Sequence, residues 1–270
     1  MFPIFIPSKS RSNTCTTAQL LKKYGLPFTL FIYNDDYDDY LLKFHKDNLF
    51  IVPDYVKGIT AKRQFMLDYA RSNNYEWFFM IDDDIQKIYV RPVGVIGKSL
   101  TPLTIKEFVE TIYKFIKFIE SKNPYHSIYE VGFKERAFGI QKSPVSINTD
   151  IGPIHLMNVK NIENINYDPD MIALEDTDFC VRNIKNNKIN IKLNHFIFFA
   201  PKSGTNKGGL EDIYNQSGKT KGVIQFKKKY DDLIKIDDTN GEKYRINWSK
   251  FKQGKESIEK DLVELYNEFF

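Results

Sequence analysis

Apolar positions along the chain fall into two kinds of stretch. Short dense runs at residues 2–7, 28–33, 49–52 and 77–81 are rich in aromatic and β-branched side chains and bounded by polar turns, which predicts buried strands. Between them the spacing turns helical. Helices are predicted from Thr14 or Thr16 through Tyr24, from the acidic residues 34–39 through His45, and from Gly58 to about Arg71 with Thr60 as a candidate cap. This βα alternation predicts an α/β fold with a mainly parallel sheet, whose strand ends share one rim with the loops that carry chemistry.

The second half is less regular. A short strand is predicted at 88–90, a loop with glycines and prolines at 91–102, and from Thr104 a long helix with Ile105, Phe108, Val109, Ile112, Phe115, Ile116 and Ile119 on one stripe. Residues 129–156, broken by Gly132, Gly139, Pro144, Gly152 and Pro153, read as irregular strands and loops that wall a cleft, with a further small strand before Lys160. Next comes an amphipathic helix with Glu175, Asp176 and Asp178 in its first turn, then a strand at 189–200. A polar loop at 201–209, a basic segment at 219–229, a strand near 243–248 and an amphipathic helix at 257–270 follow.

Composition narrows the class. With 270 residues, 42 % of them apolar and 15 % aromatic, the chain can bury one substantial α/β core. A formal charge of +4 permits contact with nucleic acid without requiring it. Cys15 and Cys180 make neither a disulfide framework nor a zinc knuckle. The first residues place apolar side chains before basic ones, unlike a signal peptide, and no apolar stretch reaches membrane-spanning length, so a cytoplasmic protein is expected.

Candidate chemistry gathers at two acidic segments. The run at 77–81 ends in Asp82, Asp83 and Asp84, three like charges whose repulsion a divalent cation relieves. In an extended segment Asp82 and Asp84 point one way and Asp83 the other, so two carboxylates face one hard cation while the third can hold a neighbouring loop. A solvated acidic turn is the plain alternative. In the second segment Asp176 lies at a helix N-terminus, where it can orient or deprotonate a hydroxyl, and simple helix capping explains the cluster equally well. Ser8 to Arg11 form a loop suited to an anion, or an ordinary βα loop. Lys62 and Arg63 lie in first turns where the helix dipole opposes cations, which makes them candidates for an anion or a rim aspartate, or plain surface residues. His155 is a candidate ligand, although a lone histidine between Ile154 and Leu156 is more often structural, and His195 reads as a ligand for a metal or a diphosphate or equally as a buried structural histidine. Lys202 opens a polar, glycine-containing loop suited to close over an anionic ligand.

Together IFIPSKSR, GITAKR, WFFMIDDDI and ALEDTDFCVR, with the pair Gly208-Gly209, resemble glycosyltransferases of the GT-A architecture. Within these the sequence resembles the phage-type TET-associated glycosyltransferases, which add sugars to hydroxymethylated pyrimidines in DNA. The resemblance covers about residues 2–210. It implies a GT-A-like domain with a Rossmann-like central sheet over residues 1–210, its nucleotide-sugar half at about 1–100 and its acceptor half at about 101–210. Residues 211–270 would form a basic segment and helix packed on that core. It further implies a UDP-sugar donor held by Pro7, Ser8, Arg11, Lys62, Arg63, Asp82, Asp83 and Lys202. An Asp-x-Asp element at Asp82-Asp83-Asp84 would bind Mn²⁺ or Mg²⁺ through Asp82 and Asp84, with His195 closing the metal site. Asp176, with Glu175 beside it, matches the catalytic base. Lysines 219, 221, 227, 228 and 229 then either track DNA phosphates or form a solvated face. Two rival readings stand: a transferase with a glycan or protein acceptor, and an inactive module that binds sugar nucleotides or nucleic acid. The sugar, the choice of hydroxymethylcytosine or hydroxymethyluracil, and inversion or retention stay open.

Overall fold

A computed structural model of the chain describes residues 1–91, 100–122, 127–135, 143–162, 164–201, 218–237 and 244–270, without the side chains of 218 and 219. Most of the predicted loop at 91–102, Gly139, and the loop with Lys202, Gly208 and Gly209 lie outside the described residues. The first half contains β1 (Ile4–Pro7), α1 (Thr16–Lys23), β2 (Thr29–Ile32), α2 (Tyr37–Leu41), β3 (Leu49–Ile51), α3 (Gly58–Ser72) and β4 (Trp77–Ile81). Then come β5 (Lys87–Val90), β6 (Thr101–Leu103), α4 (Ile105–Lys122), β7 (Ile128–Glu135), β8 (Val145–Ile147), β9 (Ile154–Asn158), α5 (Glu175–Lys185) and β10 (Ile189–Phe199). The last described elements are α6 (Gly218–Lys229), β11 (Ile234–Ile236), β12 (Tyr244–Ile246) and α7 (Glu256–Phe269).

One ten-stranded sheet runs β3-β2-β1-β4-β9-β7-β10-β5-β6, with β8 added on β10 and β11–β12 forming a separate pair. It is mixed and largely parallel: β1, β2, β3, β4, β6, β7 and β10 run one way, β5, β8 and β9 the other. Strand residues alternate between two helical layers with the period of two that a strand imposes. Ile4, Ile6, Leu30, Ile32, Phe79 and Ile81 share a core with α1, α4 and α7. Phe5, Phe31, Phe78 and Met80 pack on the other face with α3 and α5. Both faces are therefore dry, which explains the unbroken apolar run in β4.

The long helix follows its sequence closely. All seven predicted stripe residues of α4 are buried, and Thr104 and Glu107 close a reciprocal capping box at its start. Two expectations are corrected. The helix expected through His45 ends at Leu41 after a single-turn 3₁₀ segment at Asn34–Asp36, because that stretch buries only Tyr40 and Phe44, with Tyr37 packed partly buried beside them. The described residues within 129–156 are not an irregular wall either, since β7 and β9 lie in the middle of the sheet; residues 136–142 lie outside the described residues. Gly132 does not break β7. It admits Ile151, whose side-chain carbons would lie 2.6 Å from a Cβ at that position. Among the described residues, no helix is long and apolar enough to cross a membrane.

Candidate active site

The site lies beyond the carboxyl ends of β1 and β4, where a parallel sheet presents its loops. The backbone of the acidic turn is held first. The Asp82 N–H donates to the Pro153 carbonyl at 2.9 Å, and the Thr17 N–H, in the first turn of α1, donates to the Asp83 carbonyl at 3.1 Å. Thr17 Oγ1 donates to the Asp82 carbonyl at 2.6 Å and accepts from the Ile85 N–H at 2.9 Å. β4 ends at Ile81, and Asp83 and Asp84 lie in a turn rather than in the extended segment expected, so the turn and its partners, not strand alternation, sort the three carboxylates. Asp83 turns inward, accepting from Ser8 Oγ and, at 2.7 Å, from Arg11 Nη1. Asp82 and Asp84 keep 30 % and 21 % of their side chains exposed on the rim. Burial pushes the Asp83 carboxyl above its ordinary range despite Arg11.

The loop after β1 is built to meet that turn. Ser8 Oγ lies 2.5 Å from Tyr40 Oη, which also accepts from the Arg11 N–H at 3.1 Å. Ser10 takes the left-handed conformation, φ 54°, and Asp36 holds both its N–H and its hydroxyl at 3.0 Å. Arg11 thus arrives on a fixed backbone, with Nη1 3.7 Å from Asp84 Oδ2 as well.

Helix α3 supplies the other cations, and neither is a surface residue. Gly58 enters it at φ 81°. Thr60 does not cap it, because its hydroxyl donates to the Met171 carbonyl at 3.0 Å. Lys62 is 2 % exposed and, among the described residues, meets no carboxylate in hydrogen-bond range. Its Nζ donates to the carbonyls of Ser8 (2.6 Å) and Phe31 (3.3 Å) and stands 3.7 Å from the centre of the Tyr33 ring. Burial pulls the Lys62 ammonium down to about 7. Lys62 therefore ties β1 to β2 beneath the rim.

Arg63, 5 % exposed, joins the two acidic segments. Its Nη2 donates to Asp82 Oδ1 at 3.1 Å, and its Nε lies 3.3 Å from Glu175 Oε1, an ion pair whose angle falls short of a hydrogen bond. On the remaining side Nη1 meets His155 Nε2 at 2.9 Å. Glu175 opens α5 directly after Leu174, a branched residue held at φ 61°. Burial, partly offset by Arg63 and reinforced by Asp176, pushes the Glu175 carboxyl up to about 7. Asp176 is half-buried and accepts from the Thr177 N–H at 2.6 Å.

Other expected residues fall outside this group. His195 sits on β10 with its ring 5.7 Å from that of Tyr266, and none of its described contacts reaches Asp82 or Asp84. Lys229, although exposed, is a brace, because its Nζ lies 2.6 Å from both Asp168 and Asp178. Lys221, Lys227 and Lys228 remain exposed. Sequence reasoning missed Thr17, Tyr40, Glu130 and the anchoring role of Asp178. Only Tyr40 carried a signal, as an aromatic residue set among aspartates where a solvated helix would place a polar side chain.

The donor atoms are of the type that a divalent cation takes. Asp82 and Asp84 offer hard carboxylate oxygens on the rim, and Mg²⁺ or Mn²⁺ bound with a diphosphate takes only one or two carboxylates from the protein. Among the described residues no group of three or more His, Cys, Asp or Glu side chains is placed to hold a metal by itself.

Several known proteins resemble this chain. A Plasmodium falciparum structural maintenance of chromosomes protein 3 homolog is 28 % identical over 138 residues, covering 51 % of this chain and 10 % of that protein. The chain thus spans about a tenth of that relative's length. Among solved structures, A197 from STIV aligns with TM-score 0.40 and 12 % identity over 74 % of this chain and 85 % of its own. The 4-diphosphocytidyl-2C-methyl-D-erythritolsynthase of Anaerococcus prevotii aligns with TM-score 0.38 and 14 % identity over 80 % and 93 %. The description of the TET-Associated Glycosyltransferase family matches residues 2–209, which include every element of the rim, and the chain belongs to that family.

Proposed function

We propose that the chain transfers the sugar of a UDP-sugar, with Mn²⁺ or Mg²⁺, to the hydroxyl of a hydroxymethylated pyrimidine in DNA. Family membership makes it a glycosyltransferase acting on DNA bases. The observation that carries the finer reading is Arg63, one guanidinium in contact with both Asp82 and Glu175. Asp82 and Asp84 would hold the cation on the donor side. When bound, that ion supplies positive charge to the departing diphosphate. Arg11, beside Asp83 and Asp84, and Arg63, beside Asp82, limit the repulsion among three adjacent carboxylates.

On the acceptor side we assign the base to Glu175 rather than Asp176. A proton affinity near neutrality suits a group that must take a proton from a hydroxyl and later release it. Asp176, already accepting from the Thr177 backbone, raises that affinity as a neighbouring like charge. Lys221, Lys227 and Lys228 remain candidates for phosphate contact, weakened by salt.

The test is transfer from a panel of labelled UDP-sugars, with Mn²⁺, Mg²⁺ or chelator, onto duplex DNA containing either hydroxymethylated pyrimidine, unmodified DNA or a glycan mixture. Metal-dependent label on hydroxymethylated DNA alone is the expected result. Label on glycans, or donor hydrolysis without DNA labelling, would move the acceptor away from DNA. Transfer undiminished by chelator would remove the cation.

A further inference from the structure

Below the rim lies a buried polar chain that the reaction described above does not use. Glu130 of β7 is fully buried and His155 of β9 is 1 % exposed. In the β7–β9 ladder Glu130 stands opposite Met157, so His155 is its diagonal neighbour on the same face. Glu130 Oε1 lies 2.6 Å from His155 Nδ1, and Cys180 Sγ is 3.5 Å from the other carboxylate oxygen. The far ring nitrogen, Nε2, meets Arg63 Nη1 at 2.9 Å.

Donor chemistry fixes the direction of this chain. A guanidinium has N–H donors and no acceptor, so Nε2 must offer its lone pair and the ring hydrogen must sit on Nδ1, donated to Glu130. A buried carboxylate selects that tautomer, as carboxylates do behind ligating histidines. Arg63 is thereby held on three sides, by His155, Asp82 and Glu175. Stability alone gives little reason for the arrangement, because well-packed apolar residues commonly replace buried ionic groups at no cost or with a gain.

We propose that Glu130 and His155 are positioning residues for the transferase site: they hold the inner side of the Arg63 guanidinium so that its other two sides stay aimed at Asp82 and Glu175. The proposal rests on the reading of those two carboxylates as the donor and acceptor sides. Without the inner anchor the long arginine side chain can turn its fork onto a single carboxylate, which misplaces the other. The chemical step suffers more than donor binding.

The experiment combines side-chain ¹⁵N NMR at neutral pH with transfer kinetics. In the wild-type protein the His155 ring is expected to be protonated at Nδ1 only, and the Arg63 guanidinium to show hindered rotation. A Glu130→Leu/His155→Leu variant leaves no orphan charge. It is expected to fold, to release the Arg63 rotation, and to lose roughly 30-fold in kcat with donor KM changed less than about threefold. His155→Gln, which retains one acceptor and one donor, should recover most of that loss. In an Arg63→Lys background the paired leucines should cost less than about twofold more, since the effect runs through Arg63.

An unchanged kcat in the folded double variant, or a loss undiminished in the Arg63→Lys background, overturns the proposal. If the double variant does not fold, His155→Gln decides: retained activity with hindered Arg63 rotation supports the assignment, and lost activity in a folded protein sinks it. If the wild type transfers no sugar to any acceptor, the functional reading fails instead. The NMR arms then still decide the anchor, and free rotation of Arg63 in the wild type overturns it.

Discussion

The two acidic segments of this molecule share one plan and differ in what their open carboxylates can do. Each turns one aspartate inward as a brace. Asp83 ties the β4 turn to Ser8 and Arg11, and Asp178, paired with Arg182 one turn along the same helix, ties α5 to Lys229 at 2.6 Å and to Tyr230 at 2.8 Å. At β4 the remaining aspartates lie part-exposed between two arginines, an arrangement for a cation and a diphosphate. At α5 the companion Glu175 is buried beside a single arginine and a like charge, an arrangement for holding a proton near neutral pH. Neighbouring acids thus bind in one place and exchange protons in the other because burial and the number of nearby cations differ.

The sharpest way to break this contrast is to neutralise its donor side. Asp82→Asn/Asp84→Asn is expected to lower transfer by ~10³-fold or more and to abolish cation-dependent binding of UDP, while the fold survives because Asp83 and Thr17 still hold the turn. Isothermal titration with and without Mn²⁺ checks it, and cation-dependent binding that persists would remove the metal assignment.

On the acceptor side, Glu175→Gln should lower kcat by ~10²-fold or more. A base works ionised, so wild-type kcat should rise as pH passes through about 7, and the variant should lose that limb. The stability sign is the reverse. A carboxyl whose folded value is raised contributes stability that is fully present below its unfolded value of 4.5 and is lost as pH rises through about 7. Thermal melts of the wild type should therefore fall over that window, and those of the glutamine variant should fall less. If the limb stays with Glu175→Gln and vanishes with Asp176→Asn, the base is Asp176.

The braces test the shared part of the plan. Asp178→Ala removes the carboxylate that Arg182 meets and leaves Lys229 with Asp168 alone; the two side chains are 26 % and 32 % exposed and so partly hydrated. The expected loss is ~2 kcal/mol, seen as a drop of about 5 °C in Tm. A loss below about half that value would make Asp178 an ordinary capping residue.

How much of this was readable in the sequence follows from the range of each interaction. The α4 stripe and the strand at 77–81 depend on local periodicity, which a sequence carries directly, whereas the inward turn of Asp83 depends on Ser8 and Arg11 from the loop after β1. The partners of Lys62 were hidden, because Ser8 and Phe31 reach it only once β1 and β2 are side by side. Gly132 read as a break because Ile151, the side chain that fills its place, comes from a distant turn. The ranking of Glu175 against Asp176 depends on burial against Arg63, a tertiary quantity absent from the spacing of two adjacent acids.

The smallest effect separates the two halves most cleanly. Helix α6 crosses the residues before Glu175 at Gly222, where a Cβ would lie 2.7 Å from Ala173 Cβ, 3.0 Å from its carbonyl oxygen and 3.1 Å from its Cα. Backbone atoms cannot swing aside as the tip of a long side chain can, so Gly222→Ala must displace the helix or the Ala173–Leu174 turn by several tenths of an ångström. Leu174 already sits in the left-handed region, and a shift there moves the first turn of α5. The three atoms nearest a Cβ at Gly222 all belong to Ala173, on the acceptor side, and none to β1, β4 or the Asp82–Asp84 turn of the donor half. The expected result is a loss of ~1 kcal/mol and a kcat reduced by a few-fold, with the KM for the UDP-sugar unchanged. A matching rise in donor KM would mean that the two segments respond as one unit through Arg63, and the division into a binding side and a proton side would give way to a single coupled site.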